Sequence, residues 1–165
     1  MKKTGLLIVA LLIASLWVNS HRNELSVWFN SDSFYKPIFT DKFDVLRSGY
    51  RVSAELESVY DVRHGFFLTF PCDNLPTDFF ADLDGSVHYT IKSGDIVLTT
   101  KTISPPQHPM GGLDTKGCNI LLFTFDLPFE GHNSVTLEVV VSSPITKLAP
   151  YQPIRCEVSP AYWPK

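Results

Sequence analysis

The feature that most constrains this chain is a period-two alternation of apolar and polar residues, repeated in several short runs. In YRVSAELES (50–58), Tyr50, Val52, Ala54 and Leu56 share one side, while Arg51, Ser53, Glu55 and Glu57 take the other. Successive side chains of an extended strand point to opposite faces, so this pattern specifies a strand half buried on a sheet. SVHYTIK (86–92) repeats it, with Val87, Tyr89 and Ile91 inward and His88, Thr90 and Lys92 outward. KSGD (92–95) then supplies turn chemistry, Gly94 offering positive φ, and IVLTTKTI (96–103) returns as a partner strand. SVTLEVVV (134–141) alternates again, fed by the turn FEGHNS (129–134). HGFFLTFP (64–71) and CNILLFTFDLP (118–128) are apolar enough to be central strands covered on both faces. LSVWFN (25–30), KFDVL (42–46) and PIRCEVS (153–159) complete the predicted strands.

Helix signals are sparse. The best is LPTDFFADLDG (75–85), with Thr77 as N-cap, Asp78 in the first turn and Gly85 beyond the end. Many short strands with Gly/Pro turns and no βαβ alternation predict an all-β chain. The expected fold is an antiparallel β-sandwich, Ig-like or jelly-roll, with one short helical segment and an apolar helix in front. The Pro-rich extension 144–165 is expected along a sheet edge, where proline's missing N–H is tolerated.

FDVLRSGYRVSAELE (43–57) resembles the apolar strand, Ser-Gly-x, alternating strand opening of many Ig-like or jelly-roll modules in exported bacterial proteins. With the 86–103 hairpin and the closing SVTLEVVVSSP (134–144), the chain is similar over about residues 42–144 to a group of small, uncharacterised exported bacterial sandwich proteins. The resemblance implies a fold and no activity or site residue. Members are often lipoproteins; this chain has no cysteine near residue 20 to acylate.

The N-terminus has the composition of an export signal. Lys2 and Lys3 precede a fourteen-residue uncharged run, GLLIVALLIASLWV (5–18), and Val18 and Ser20 are the small residues before a cut after Ser20. As a helix that run is about 21 Å long, short of the ~30 Å hydrocarbon core. The expectation is a signal peptide over 1–20 and a single β-sandwich domain over 21–165, placed in the periplasm or secreted. The alternative is an uncleaved anchor in the inner membrane, favoured by Trp17 and the lack of Ala-x-Ala. Without Lys2 and Lys3, the charge is 12 − 17 = −5. That mild acidity argues against a nucleic-acid partner, which relies on clustered Lys and Arg. An oxidising compartment would allow one disulfide among Cys72, Cys118 and Cys156. Cys72 ends one predicted central strand and Cys118 begins another, which favours Cys72–Cys118; Cys118–Cys156 is the alternative.

One loop carries soft metal ligands. SPPQHPMGGLDTKGC (104–118) holds His108, Met110 and Cys118, which suit copper by chemistry. A blue-copper arrangement needs two His, one Cys and usually a weak axial Met. Here the next histidine after Cys118 is His132, a whole strand away, so a rigid surface loop is the expected role. Asp82, Asp84 and Gly85 resemble a fragment of a calcium loop without its later ligands or closing Glu, and capping explains them equally well. No cofactor is implied. G-x-S-x-G, H-E-x-x-H and G-x-x-x-x-G-K-[ST] do not occur. Cys72 or Cys118 paired with His64, His108 or His132 is a conceivable nucleophile–base set. Glu55 and Glu57, about 6.6 Å apart along a strand, are conceivable paired carboxylates, although a solvated strand face is the simpler role.

Aromatic residues carry the binding expectation. Trp28, Phe29, Phe34, Tyr35 and Phe39 cluster after the signal, and Tyr151, Tyr162 and Trp163 near the end. Such rings either cover the open ends of the sandwich or form an interface. Trp28, Tyr35, Tyr162 and Trp163 are the binding candidates. The chain is therefore expected to be a non-enzymatic exported protein that binds a protein partner, of immunity or accessory type. A small-ligand module for sugar or metal is the alternative, and an exported hydrolase comes third.

Overall fold

The structure is a computed structural model and describes residues 2–57, 60–72, 79, 83–105, 113–114, 117–127 and 134–162. The chain divides into two compact units, one built on the residues up to Lys36 and one spanning Pro37–Tyr162.

The first unit is helical. α1 (Lys2–Ser20) contains the apolar run, and α2 (Arg22–Phe34) follows after a single residue. The His21 N–H donates to the Trp17 carbonyl (3.0 Å) and the Leu25 N–H to the His21 carbonyl (2.9 Å), so the helical ladder passes through the junction. This corrects the strand expected over 25–30. LSVWFN is too short for its alternation to decide, and the helix already formed before it extends at the cost of one residue's freedom per hydrogen bond gained. Asn30, at φ −152° and ψ 47°, breaks the helical path within α2. Among the described residues, no helix is long and apolar enough to cross a membrane.

The second unit is two antiparallel sheets packed face to face. Its strands are β1 (Phe39–Lys42), β2 (Arg51–Leu56), β3 (Arg63–Phe70), β4 (Ser86–Ser93), β5 (Ile96–Ile103), β6 (Leu113–Asp114), β7 (Gly117–Asp126), β8 (Val135–Ser143) and β9 (Arg155–Pro160). One sheet runs β1-β9-β3-β7-β6 and the other β2-β8-β4-β5. The predicted alternations become the core. Val52, Ala54 and Leu56 of β2, Val135, Leu137, Val139 and Val141 of β8, and Val87, Tyr89 and Ile91 of β4 are all buried. From the facing sheet come Phe66, Leu68 and Phe70 of β3 and Ile120 and Phe123 of β7. Tyr89 stacks on Phe123 across the layers, centroids 4.1 Å apart, and Phe123 stacks on Phe66 at 5.2 Å. Such ring pairs add about 0.5–1.5 kcal/mol each beyond the area they bury.

Two expectations shift. The strand expected over 42–46 is β1, which starts three residues earlier and ends at Lys42. Asp44 is the cause: its Oδ1 accepts from the Leu46 N–H (3.1 Å) and its carbonyl from the Arg47 N–H (3.3 Å), a side-chain turn that competes with the ladder. Phe43 and Val45 still enter the core from this irregular segment. The Pro-rich tail is not an edge strip either. Its residues form a 3₁₀ turn at Thr146–Tyr151 and then β9, which lies between β1 and β3. Ile154, Cys156 and Val158 are buried there, in a strand whose only prolines lie at or beyond its ends. The helix expected over 75–85 lies mostly outside the described residues.

Candidate binding surfaces

The cysteines come first, because they decide several chemical readings. Phe70 pairs with Cys118 in the β3–β7 register, which brings Cys72, two residues on, beside the start of β7. Cys72 and Cys118 are joined as a disulfide, with Cα atoms 5.7 Å apart. Gly117 permits the approach: at φ 130° it adopts a backbone other residues disfavour, and a Cβ there would sit 2.5 Å from the Phe70 carbonyl oxygen. The bond corrects one metal candidate, since the Cys118 sulfur is no thiolate to offer copper. It likewise takes both cysteines out of the Cys–His pairing. His108, Met110 and His132 lie outside the described residues. Cys156 is a buried free thiol whose pKa burial pushes up to about 12, so it is not a nucleophile at neutral pH. Among the described residues, no group of three His, Cys, Asp or Glu could hold a metal ion.

Asp84 is used in capping. Its Oδ2 accepts from the Thr146 hydroxyl and its Oδ1 from the Lys147 N–H (3.3 Å), fixing the start of the 3₁₀ turn. Desolvation pushes this carboxyl up, but the hydrogen bonds from Thr146 and Lys147 outweigh it and hold it below its usual value. Asp82 lies outside the described residues.

The outward face of the β2-β8-β4-β5 sheet is polar. Glu138 of β8 pairs with Arg51 of β2 (3.0 Å) and Lys92 of β4 (3.8 Å). The His88 ring lies between two hydroxyls, Nδ1 2.9 Å from Thr102 Oγ1 and Nε2 3.1 Å from Thr100 Oγ1. Glu55 and Glu57 are exposed, as a solvated strand face requires. A second histidine, His64, is in phase with Phe66, Leu68 and Phe70 along β3 and points into the core beside the Phe125 ring. Burial lowers its pKa, against a backbone hydrogen bond at Val62 and the Asp126 charge, which raise it.

Of the three aromatic candidates among the described residues, Trp28 is the most exposed. Trp28 is 77% and the adjacent Phe29 83% exposed, so neither ring is covered in the single chain. Tyr35, just beyond α2, packs edge-on against Phe34 at 4.9 Å, and burial pushes its phenol pKa up. Tyr162 is half-buried in the second unit, and Trp163 lies outside the described residues. A further surface was not visible in the sequence. Ile96, Val97 and Leu98, at the start of β5, are 68, 52 and 48% exposed. Their apolar run predicted a strand; only sheet order makes β5 an outermost one.

No protein-family model and no curated protein matches the sequence. The chain is similar to a solved structure, the crystal structure of GEBA250068378 from Sulfurospirillum deleyianum. The TM-score is 0.53 at 7% identity, over 76% of this chain and 98% of that one. At such identity the likeness is one of fold alone, consistent with the resemblance drawn from the strand pattern to proteins of no characterised activity.

Proposed function

We propose that this is an exported, non-enzymatic β-sandwich protein that binds a protein partner through the aromatic surface of α2. The observation that carries the reading is the exposure of Trp28 and Phe29 side by side. Each ring can bury 150–250 Å² when covered, and Trp is the residue most enriched among interface anchors. Neither ring takes part in the core of the sheets. An immunity or accessory protein that blocks an exported effector is a setting of the right size.

The sandwich reading extends to jelly-roll connectivity. Successive strands change sheets from β1 through β4, the β4–β5 hairpin stays in one sheet, and β7, β8 and β9 alternate again. That interleaving is the double Greek key of a jelly roll rather than the ordering of an immunoglobulin domain. Export to the periplasm or medium is supported by Lys2 and Lys3 before the apolar run and by the Cys72–Cys118 bond. An inner-membrane anchor from an uncut N-terminus remains the alternative location. The sugar-binding alternative would use the same exposed Trp28 ring as a stacking platform, and a tryptophan fluorescence change on glycan titration would favour it.

The test is affinity capture from the cell envelope, comparing the wild-type protein with Trp28→Ala/Phe29→Ala. One dominant partner band, lost in the double variant, is the expected result. A band that survives both alanines sinks this surface, and a clean wild-type lane sinks the partner reading.

A further inference from the structure

We propose that cutting the chain after Ser20 creates a copper(II) site at its new first residue, where the α-amine and the imidazole Nδ1 of His21 close on one metal ion. The inference rests on the reading of residues 1–20 as a cleaved signal, and it uses neither the α2 rings nor the sheets.

His21 sits between α1 and α2, and its contacts reach back into the segment that the cut removes. Its backbone N–H donates to the Trp17 carbonyl oxygen at 3.0 Å. Its Nδ1 lies 3.0 Å from that same oxygen and 2.8 Å from the Ser20 hydroxyl. Its ring stacks on Trp17, centroids 4.7 Å apart. Two nitrogens of one residue therefore converge on a single atom. The side chain already holds the rotamer that a chelate ring through Cα, Cβ and Cγ requires, and the Trp17 oxygen stands where the ion would be held.

Hydrolysis of the Ser20–His21 bond consumes one water: Ser20 departs with the new carboxyl group and His21 keeps a primary amine. Trp17 and Ser20 leave with the signal, so the amine and Nδ1 lose these partners together. Before the cut, the backbone nitrogen is an amide whose lone pair is tied up in resonance. After it, the neutral amine is a donor, and an ion in place of the oxygen would draw both nitrogens in to about 2 Å. The site is absent from the precursor and appears on processing.

Copper(II) is the ion this pair selects. It heads the first-row divalent order on nitrogen ligands, and its flat geometry accepts two adjacent nitrogens with water in the remaining positions. The other histidines of the described residues are committed elsewhere. His64 is buried in the core, and both His88 nitrogens lie beside threonine hydroxyls. The His21 side chain makes no capping hydrogen bond to α2, so binding a metal does not cost the helix its start. The α2 dipole and Arg22 disfavour a cation at this end, a small effect beside two coordinate bonds.

The test uses the protein purified from its own envelope with the disulfide intact. Intact mass identifies the first residue, and titration with copper(II) alone, followed by electron paramagnetic resonance, reads the site. The expected result is a chain that begins at His21 and binds one copper(II) with nitrogen hyperfine structure. His21→Ala, or acetylation of the α-amine, should weaken binding about tenfold or more, since even the groups behind a metal ligand are worth that much. His88→Ala should leave it unchanged. Far-UV circular dichroism checks that each variant is folded. A chain that begins at His21 without affinity for copper, or with affinity that survives both changes, overturns the site and leaves the export reading standing. A chain that begins at any other residue overturns the cut after Ser20 and the site with it.

Discussion

β4 and β5 are the two strands of one hairpin, equal in length, and they meet opposite fates although β5 is the richer in β-branched residues. β4 lies between β8 and β5, and its Val87, Tyr89 and Ile91 are buried. Among the described residues β5 pairs with β4 alone, and its most apolar residues, Ile96–Leu98, are exposed. Local propensity makes both of them strands, whereas position in the sheet decides what each side chain contributes. The contrast predicts large effects of substitution in β4 and small ones in β5.

The largest should come from Tyr89→Ala. Tyr89 is buried and stacked on Phe123, so truncation removes the transfer term, the ring pair and the filling of a cavity. A loss of about 3–5 kcal/mol is expected from equilibrium denaturation, enough to unfold a marginal domain. A loss under about 1 kcal/mol would mean that the two layers are not packed against each other at this point. Next comes Cys72→Ser/Cys118→Ser. The bond closes a loop of sequence separation 46 next to the β3–β7 pairing, and its removal should cost about 2–4 kcal/mol in the same assay. This change acts mainly on the unfolded chain, so it should lower stability without shifting the β4–β5 contrast.

Two histidines repeat the contrast with a charge in place of volume. His64 is buried in β3, whereas His88 faces outward from β4 between threonine hydroxyls. Desolvation depresses the folded-state pKa of His64 below its ordinary 6.5, so the unfolded chain binds the proton more tightly. Its contribution is therefore fully present above pH 6.5 and is lost as pH falls from there through the depressed folded value. Stability measured on acidification below pH 6.5 should decline in the wild type, and His64→Leu should flatten that decline. An undiminished decline in His64→Leu would show that His64 is not its source.

The strands were legible where hydropathy alternates. Residues 50–57, 86–92 and 134–141 each declare which face turns inward, because burial on one side of a sheet is written into every second residue. α2 was not legible, since six residues around Trp28 fit either a strand or a helix and the choice depends on the ladder arriving from α1. Pairing order was also hidden. β1 joins β9 from the far end of the chain, and nothing local in FTDK or RCEVSP names its partner. For the candidate surfaces, Trp28 stood out by residue type alone. The edge of β5 did not, because an apolar strand looks the same in sequence whether it lies at the centre of a sheet or at its border.

The smallest expected effect is the most discriminating for β5. Val97→Thr keeps the β-branch and the strand propensity while replacing one methyl with a hydroxyl on a half-exposed side chain. Because Val97 is absent from the buried core, folding stability should change by no more than about 0.5 kcal/mol, in contrast to Tyr89→Ala on the neighbouring strand. Any cost well above that would show that β5 is covered in the folded monomer and does not form its border. An unchanged stability, combined with a weaker tendency to self-associate, would assign the apolar character of Ile96–Leu98 to contacts made outside the single chain. In that case selection on this strand acts through what docks against it, since the fold tolerates the polar residue.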